Sequence, residues 1–166
     1  MPIDDKLSDQ FRVLLGMAIQ NRVEDFMSSL PEVGYQPYES MLALAIRVTG
    51  HVVIAAGERY PNDADLEKAA GIAAKAVTGL PIDADEIHAY LSKVVFGEDR
   101  VMSLSDDKLK ASVIPMFALA NLLLAFTPKG MNQWTYLDVI EASIDAVDNT
   151  NEGVLPSMVY EFGRRK

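Results

Sequence analysis

The chain has 166 residues, 24 acidic against 15 basic side chains, a net charge of −9, no cysteine and 49% hydrophobic residues. Without cysteine there is no disulfide scaffold, no thiolate metal site and no thiol nucleophile. The negative balance argues against direct nucleic-acid binding, because a surface that follows phosphates needs clustered Lys and Arg. The length fits a single domain in which roughly 69% of the unfolded surface can be buried.

The first residues, Met1-Pro2-Ile3-Asp4-Asp5, carry acids where a signal or transit peptide needs a basic segment. A cytoplasmic protein is therefore expected. The longest nearly apolar stretch, Val113 to Phe126, has 14 residues interrupted by Pro115 and Asn121. It falls short of the ~20 residues a membrane helix needs and reads as a core helix, so no membrane partner is expected.

Apolar spacing is helical almost throughout, and no window alternates long enough for a convincing strand. The expected class is all-α: one compact bundle of about six helices over residues 1–166, with a short frayed tail at about 163–166. In the first helix, about Asp5 to Ser29, Leu7, Phe11, Leu15, Ile19, Val23, Phe26 and Leu30 recur at steps of three or four. Pro31, Gly34 and Pro37 end it and turn the chain. A second helix runs from about Tyr38 to Tyr60, with Pro37 suited to its first turn.

The third and fourth helices open alike, at Pro61-Asn62-Asp63-Ala64-Asp65 and Pro81-Ile82-Asp83-Ala84-Asp85. The similarity stops after five residues, so two independent Asp caps are expected rather than a repeat. Gly79 and Gly97 close these helices. The third helix is small-sided, with Ala64, Ala69, Ala70, Gly71, Ala73, Ala74 and Ala76, and can approach a neighbour closely.

A fifth helix runs from about Ser105 to Phe126. Its apolar residues project in every direction, so it must be surrounded, either at the bundle centre, which is favoured, or in a homodimer contact. Asn121 needs a buried partner there, and Pro115 predicts a kink. The sixth helix opens at Thr135 as its cap, with Asp138 reaching back and Trp134 and Val139 placed as a hydrophobic staple, and ends near Asp148. After Pro156, Met158, Val159 and Phe162 offer a short docking segment.

Three groups of side chains have chemical potential. On the second helix, Ser40, Arg47, His51 and Glu58 share an arc of about 40°. This polar seam either faces water or lines a ligand cleft in which Arg47 holds an anion and His51 moves a proton. Arg47 beside His51 disfavours the charged imidazole, which suits a base. His88 follows Asp85 by three, half of a carboxylate-histidine motif whose second half is missing, so no metal or other cofactor is expected. On the sixth helix, Asp138, Glu141, Asp145 and Asp148 share an arc of about 80°. Between Lys129 and Arg164 the chain has six acids and no base. Both acid pairs sit on one helix and cannot converge on a metal from opposite sides. Glu24 and Asp25 on the first helix could supply opposing oxygens, but nothing local requires it.

No phosphate loop or nucleophile elbow is present. The expected function is that of a small acidic, non-catalytic binding or regulatory protein. Its face of Asp138, Glu141, Asp145 and Asp148 would engage a basic protein surface, as in an inhibitor, an immunity-type antagonist or an assembly subunit. The alternative is a ligand-binding or metal-assisted enzyme with a cleft lined by Arg47, His51 and Glu58.

Overall fold

A computed structural model describes residues 4–57, 59–77, 79–96 and 108–150, with the side chains of residues 76, 108–111 and 148–150 also outside the description. Among the described residues there are seven helices and no strand: α1 (Asp5–Ile19), α2 (Val23–Val33), α3 (Tyr35–Ala55), α4 (Asp63–Ala76), α5 (Ala84–Val95), α6 (Lys108–Phe126) and α7 (Gln133–Thr150). The all-α bundle expected from apolar spacing is therefore what forms. Gly97, Ser105 and the docking segment after Pro156 lie outside the described residues.

The helix expected over Asp5 to Ser29 is two helices. Asn21 adopts φ 54, the Asn21 N–H donates to Ala18 O at 3.0 Å, and the Arg22 N–H donates to Met17 O at 2.8 Å. This paired closure of a helix C-terminus needs one left-handed residue, and after glycine asparagine tolerates that conformation best. The apolar period continues through the break because both helices bury the same side, which hid the turn from a periodicity argument. Pro31 does not end α2 but lies in its last turns; Gly34, at φ 90, separates α2 from α3. Pro37 falls in the first turn of α3 as expected, whereas α3 stops at Ala55 rather than Tyr60.

The two similar helix starts carry capping boxes at different offsets. The Asp cap expected at α5 is Asp83, paired with Glu86, but at α4 the cap is Asn62 rather than an aspartate, paired reciprocally with Asp65. The cap stands one residue after Pro61 but two after Pro81, which supports independent caps over a repeat. Gly79 takes a left-handed φ of 86 beyond the end of α4. At α7 the cap is Asn132, whose Oδ1 accepts from the Thr135 N–H at 2.9 Å, so the expected Thr135 cap is corrected by three residues. Asn is the stronger cap. The expected Trp134–Val139 staple is absent, since Val139 is exposed and Trp134 packs towards Gly16 of α1.

α6 is the centre. Every side chain from Val113 to Leu123 is buried within this one chain, Pro115 included. Asn121 Nδ2 donates to Phe117 O at 2.8 Å, giving the buried amide a partner on its own helix. Of the described side chains on α6, only Leu124 and Ala125 are exposed, which limits what this helix offers a second copy. Around it, Phe26 of α2 packs edge-on against Phe117 with ring centroids 5.0 Å apart, and Tyr38 of α3 donates to Ser112 O at 2.5 Å. Burial holds the Tyr38 phenol strongly in its neutral form. α3 is long and apolar enough to cross a bilayer by length and composition. Its Met41, Leu42, Leu44, Ala45, Val48, Val52 and Val53 are nevertheless buried in the shared core.

Candidate functional site

The acidic helix is joined to α1 by a network centred on Arg12. Arg12 Nη2 lies 2.6 Å from Glu141 Oε2 and 2.7 Å from Asp138 Oδ1. Ser8 Oγ lies 2.9 and 3.1 Å from the two Glu141 oxygens, and Arg12 Nε donates to Ser8 Oγ at 3.3 Å. Glu141 is 9% exposed, whereas the Asp138 side chain is 68% exposed. Asp145 is half-buried, and the Asp148 side chain lies outside the described residues. The four carboxylates expected on one solvent face therefore do not act alike: Glu141 turns inward and Asp138 shares its cation.

These contacts also set the register of the two helices. Ser8 meets Glu141, Arg12 meets Asp138, and a Cβ built on Gly16 would stand 3.7 Å from the Trp134 ring. The position rises on α1 as it falls on α7, so the contacting stretches run in opposite directions. At 100° per residue, Asp5 falls within the arc of the α1 contact residues and Asp9 just beyond it, while on α7 Asp145 falls between Glu141 and Asp138. Asp5 and Asp9 are exposed. The acidic surface thus spans two helices, with Arg12 set between Asp138 and the buried Glu141. The sequence did hold a signal for this device, the Ser8-x-x-x-Arg12 pair one helical turn apart beside the apolar stripe. What it could not show was the opposing helix.

The polar seam on α3 is a different place. Arg47 and His51 are both half-buried, and Glu58 lies outside the described residues and beyond the end of the helix. Burial first, and the Arg47 charge second, lower the His51 pKa, so the neutral imidazole is favoured and can accept a proton. Neither residue belongs to the described lining of a cavity of about 540 Å³, which sits on the opposite side of α3.

That cavity was not foreseen. It is walled by Val53, Ala56 and Gly57 at the end of α3, by Arg59 and Pro61, by Asp65, Lys68 and Ala69 of α4, and by Phe126 at the end of α6. Arg59 Nη1 lies 2.5 Å from Asp65 Oδ2, and Asp65 also accepts from the Asn62 N–H at 2.9 Å. The Arg59 hydrogen bond, then that of Asn62, keep the Asp65 carboxyl below its usual range. The sequence signal was the Asn62-x-x-Asp65 spacing of a capping box, which places Asp65 where the preceding loop can reach it.

His88 bonds neither Asp85 nor a metal-like set. Its Nε2 lies 2.9 Å from Asp63 Oδ1, joining α5 to α4. Among the described residues, no three His, Asp or Glu side chains gather as metal ligands would. Asp25, one of the two acids considered as an opposing set, pairs with Arg22 at 2.7 Å. Comparison with protein-family models, with curated proteins and with solved structures finds no match.

Proposed function

We propose that this protein is a small, non-catalytic binding or regulatory protein that engages a basic protein surface in the cytoplasm, as an inhibitor, antagonist or assembly subunit would. The observation supporting the reading is the join of α1 to α7 through Arg12, which brings the acids of both helices, Asp5 and Asp9 on one and Asp138 and Asp145 on the other, to the same seam. A cationic partner gains from such a face chiefly in association rate and in discrimination against acidic competitors. Glu141 has a separate role: with Ser8 and Arg12 it holds the two acidic helices at fixed spacing.

The test replaces Asp5, Asp9, Asp138 and Asp145 together by Asn and leaves the Ser8–Arg12–Glu141 contacts in place. Affinity capture from the native host at low and high salt should yield basic proteins with the original chain. The quadruple variant, with its helical content retained and its melting midpoint lowered by no more than a few degrees, should lose them at least tenfold at low salt. Capture that is indifferent to both the substitutions and the salt rejects the proposal.

A further inference from the structure

The cavity between α3, α4 and α6 combines a solid apolar interior with a charged mouth. Val53 is 6% exposed, Ala69 is 4% exposed, and Pro61 is buried. Phe126, half-buried, closes the side provided by α6. At about 540 Å³ the space falls inside the ~300–1,000 Å³ range of small-molecule sites. Its described charges are Arg59, Lys68 and Asp65, an excess of one positive charge on a chain whose net charge is −9.

The arrangement of those charges favours an anion further. Asp65 is held on one side by Arg59 and on the other by the Asn62 N–H at the start of α4. The guanidinium is thereby fixed at the mouth, and its two bonds to Asp65 use two of the five N–H donors that such a group carries. Lys68 is exposed on α4, within electrostatic reach of Asp65. A carboxylate at the mouth would meet the Arg59 N–H groups that Asp65 leaves over and an ammonium, while its hydrocarbon part covered Val53, Ala69, Pro61 and Phe126.

We infer that this cavity is a binding site for a small amphipathic monoanion, a monocarboxylate with an apolar chain, bound with its tail inward and its head between Arg59 and Lys68. The site lies on elements other than the acidic α1–α7 face and does not depend on that reading. Guanidinium and ammonium groups, here both exposed, discriminate by charge because the anion exchanges part of its hydration for charge-assisted hydrogen bonds. The chain supplies the area term, about 25 cal/mol for each Å² of apolar surface removed from water.

The experiment titrates the full chain with octanoate, with octanol and with octyltrimethylammonium, followed by calorimetry and by methyl and aromatic NMR shifts. Octanoate should bind, and its shifts should concentrate on Val53, Ala56, Ala69 and Phe126. Octanol should bind at least tenfold more weakly and the cation not measurably. Lys68→Gln, at an exposed position, should weaken octanoate about tenfold and leave octanol unchanged. Ala56→Trp, also exposed and at the mouth, should abolish both without lowering the melting midpoint. Absence of octanoate binding, equal binding of the cation, or shifts centred elsewhere would each overturn the assignment. So would octanoate affinity indifferent to both substitutions.

Discussion

Removing Arg12 isolates the device that joins the two acidic helices. In Arg12→Ala, Glu141 keeps its contact with Ser8 among the described residues while remaining 9% exposed, and Asp138 loses the Arg12 cation. Breaking a fully buried ion pair on one side costs about 3–5 kcal/mol, because the remaining charge stays desolvated. The Arg12 side chain is 22% exposed and Ser8 still donates to the carboxylate, so the expected loss is smaller, about 2–3 kcal/mol. The Asp138 arm adds little, since a pair with one partner so exposed is worth about 0–1 kcal/mol. For a domain of this size the midpoint should fall by roughly 5–10 °C. Urea unfolding monitored by circular dichroism measures the difference, provided the slope with denaturant is unchanged. Two further variants define the cause. Asp138→Asn should cost about 0.5 kcal/mol. Arg12→Met combined with Glu141→Leu should return to within about 1 kcal/mol of the original chain, because apolar replacement of both partners removes the stranded charge. A loss under about 1 kcal/mol for Arg12→Ala, or an equal loss for Asp138→Asn, would show that Glu141 is not held as a buried partner of Arg12.

Three more outcomes follow from local geometry. The His51 pKa is lowered from 6.5 in the folded chain, so the unfolded chain binds the proton more tightly. The stability His51 contributes is complete above about pH 6.5 and is lost as the pH falls from there through the folded value. Unfolding measured at pH 7.5 and 5.5 should show this loss. His51→Gln should reduce it, and Arg47→Gln should leave most of it, since burial is the larger cause. Asn21→Val, which forces a β-branched residue into the left-handed turn between α1 and α2, should destabilise by about 1–2 kcal/mol, while Asn21→Gly should stay within about 0.5 kcal/mol of the original chain. Gly16→Ala should stabilise by about 0.5–1 kcal/mol: the helix gains propensity, and the new Cβ makes ordinary contact with Trp134 at 3.7 Å. A lower melting midpoint for Gly16→Ala would mean that the α1–α7 approach is tighter than this distance.

Local signals were read well where a local interaction decides the structure. Capping at Asp83, the breadth of the apolar surface on α6 and the position of Pro37 at the start of α3 each follow from groups a few residues apart. The turn at Asn21 escaped because two helices burying the same side preserve the apolar rhythm across it. The Thr135 cap was misplaced for a related reason: Asn132 and Thr135 both satisfy the local rule, and their difference in capping strength had to break the tie. In the candidate sites the same limit is sharper. The carboxylates of α7 could be placed on one arc by their spacing, but not divided into exposed and inward-facing groups. The cavity required the ends of α3, α4 and α6 to meet, although the Asn62–Asp65 spacing that anchors its mouth was legible.

Periodicity and capping chemistry were sufficient to establish an all-helical chain with a surrounded α6, since backbone hydrogen bonds and apolar spacing act within a few residues. Local spacing pairs Arg22 with Asp25, but packing determined which charges of α7 are compensated. Arg12 and Glu141 stand 129 positions apart, and their meeting depends on α1 packing against α6 while α7 packs against α3, an arrangement set by how whole apolar faces exclude water together.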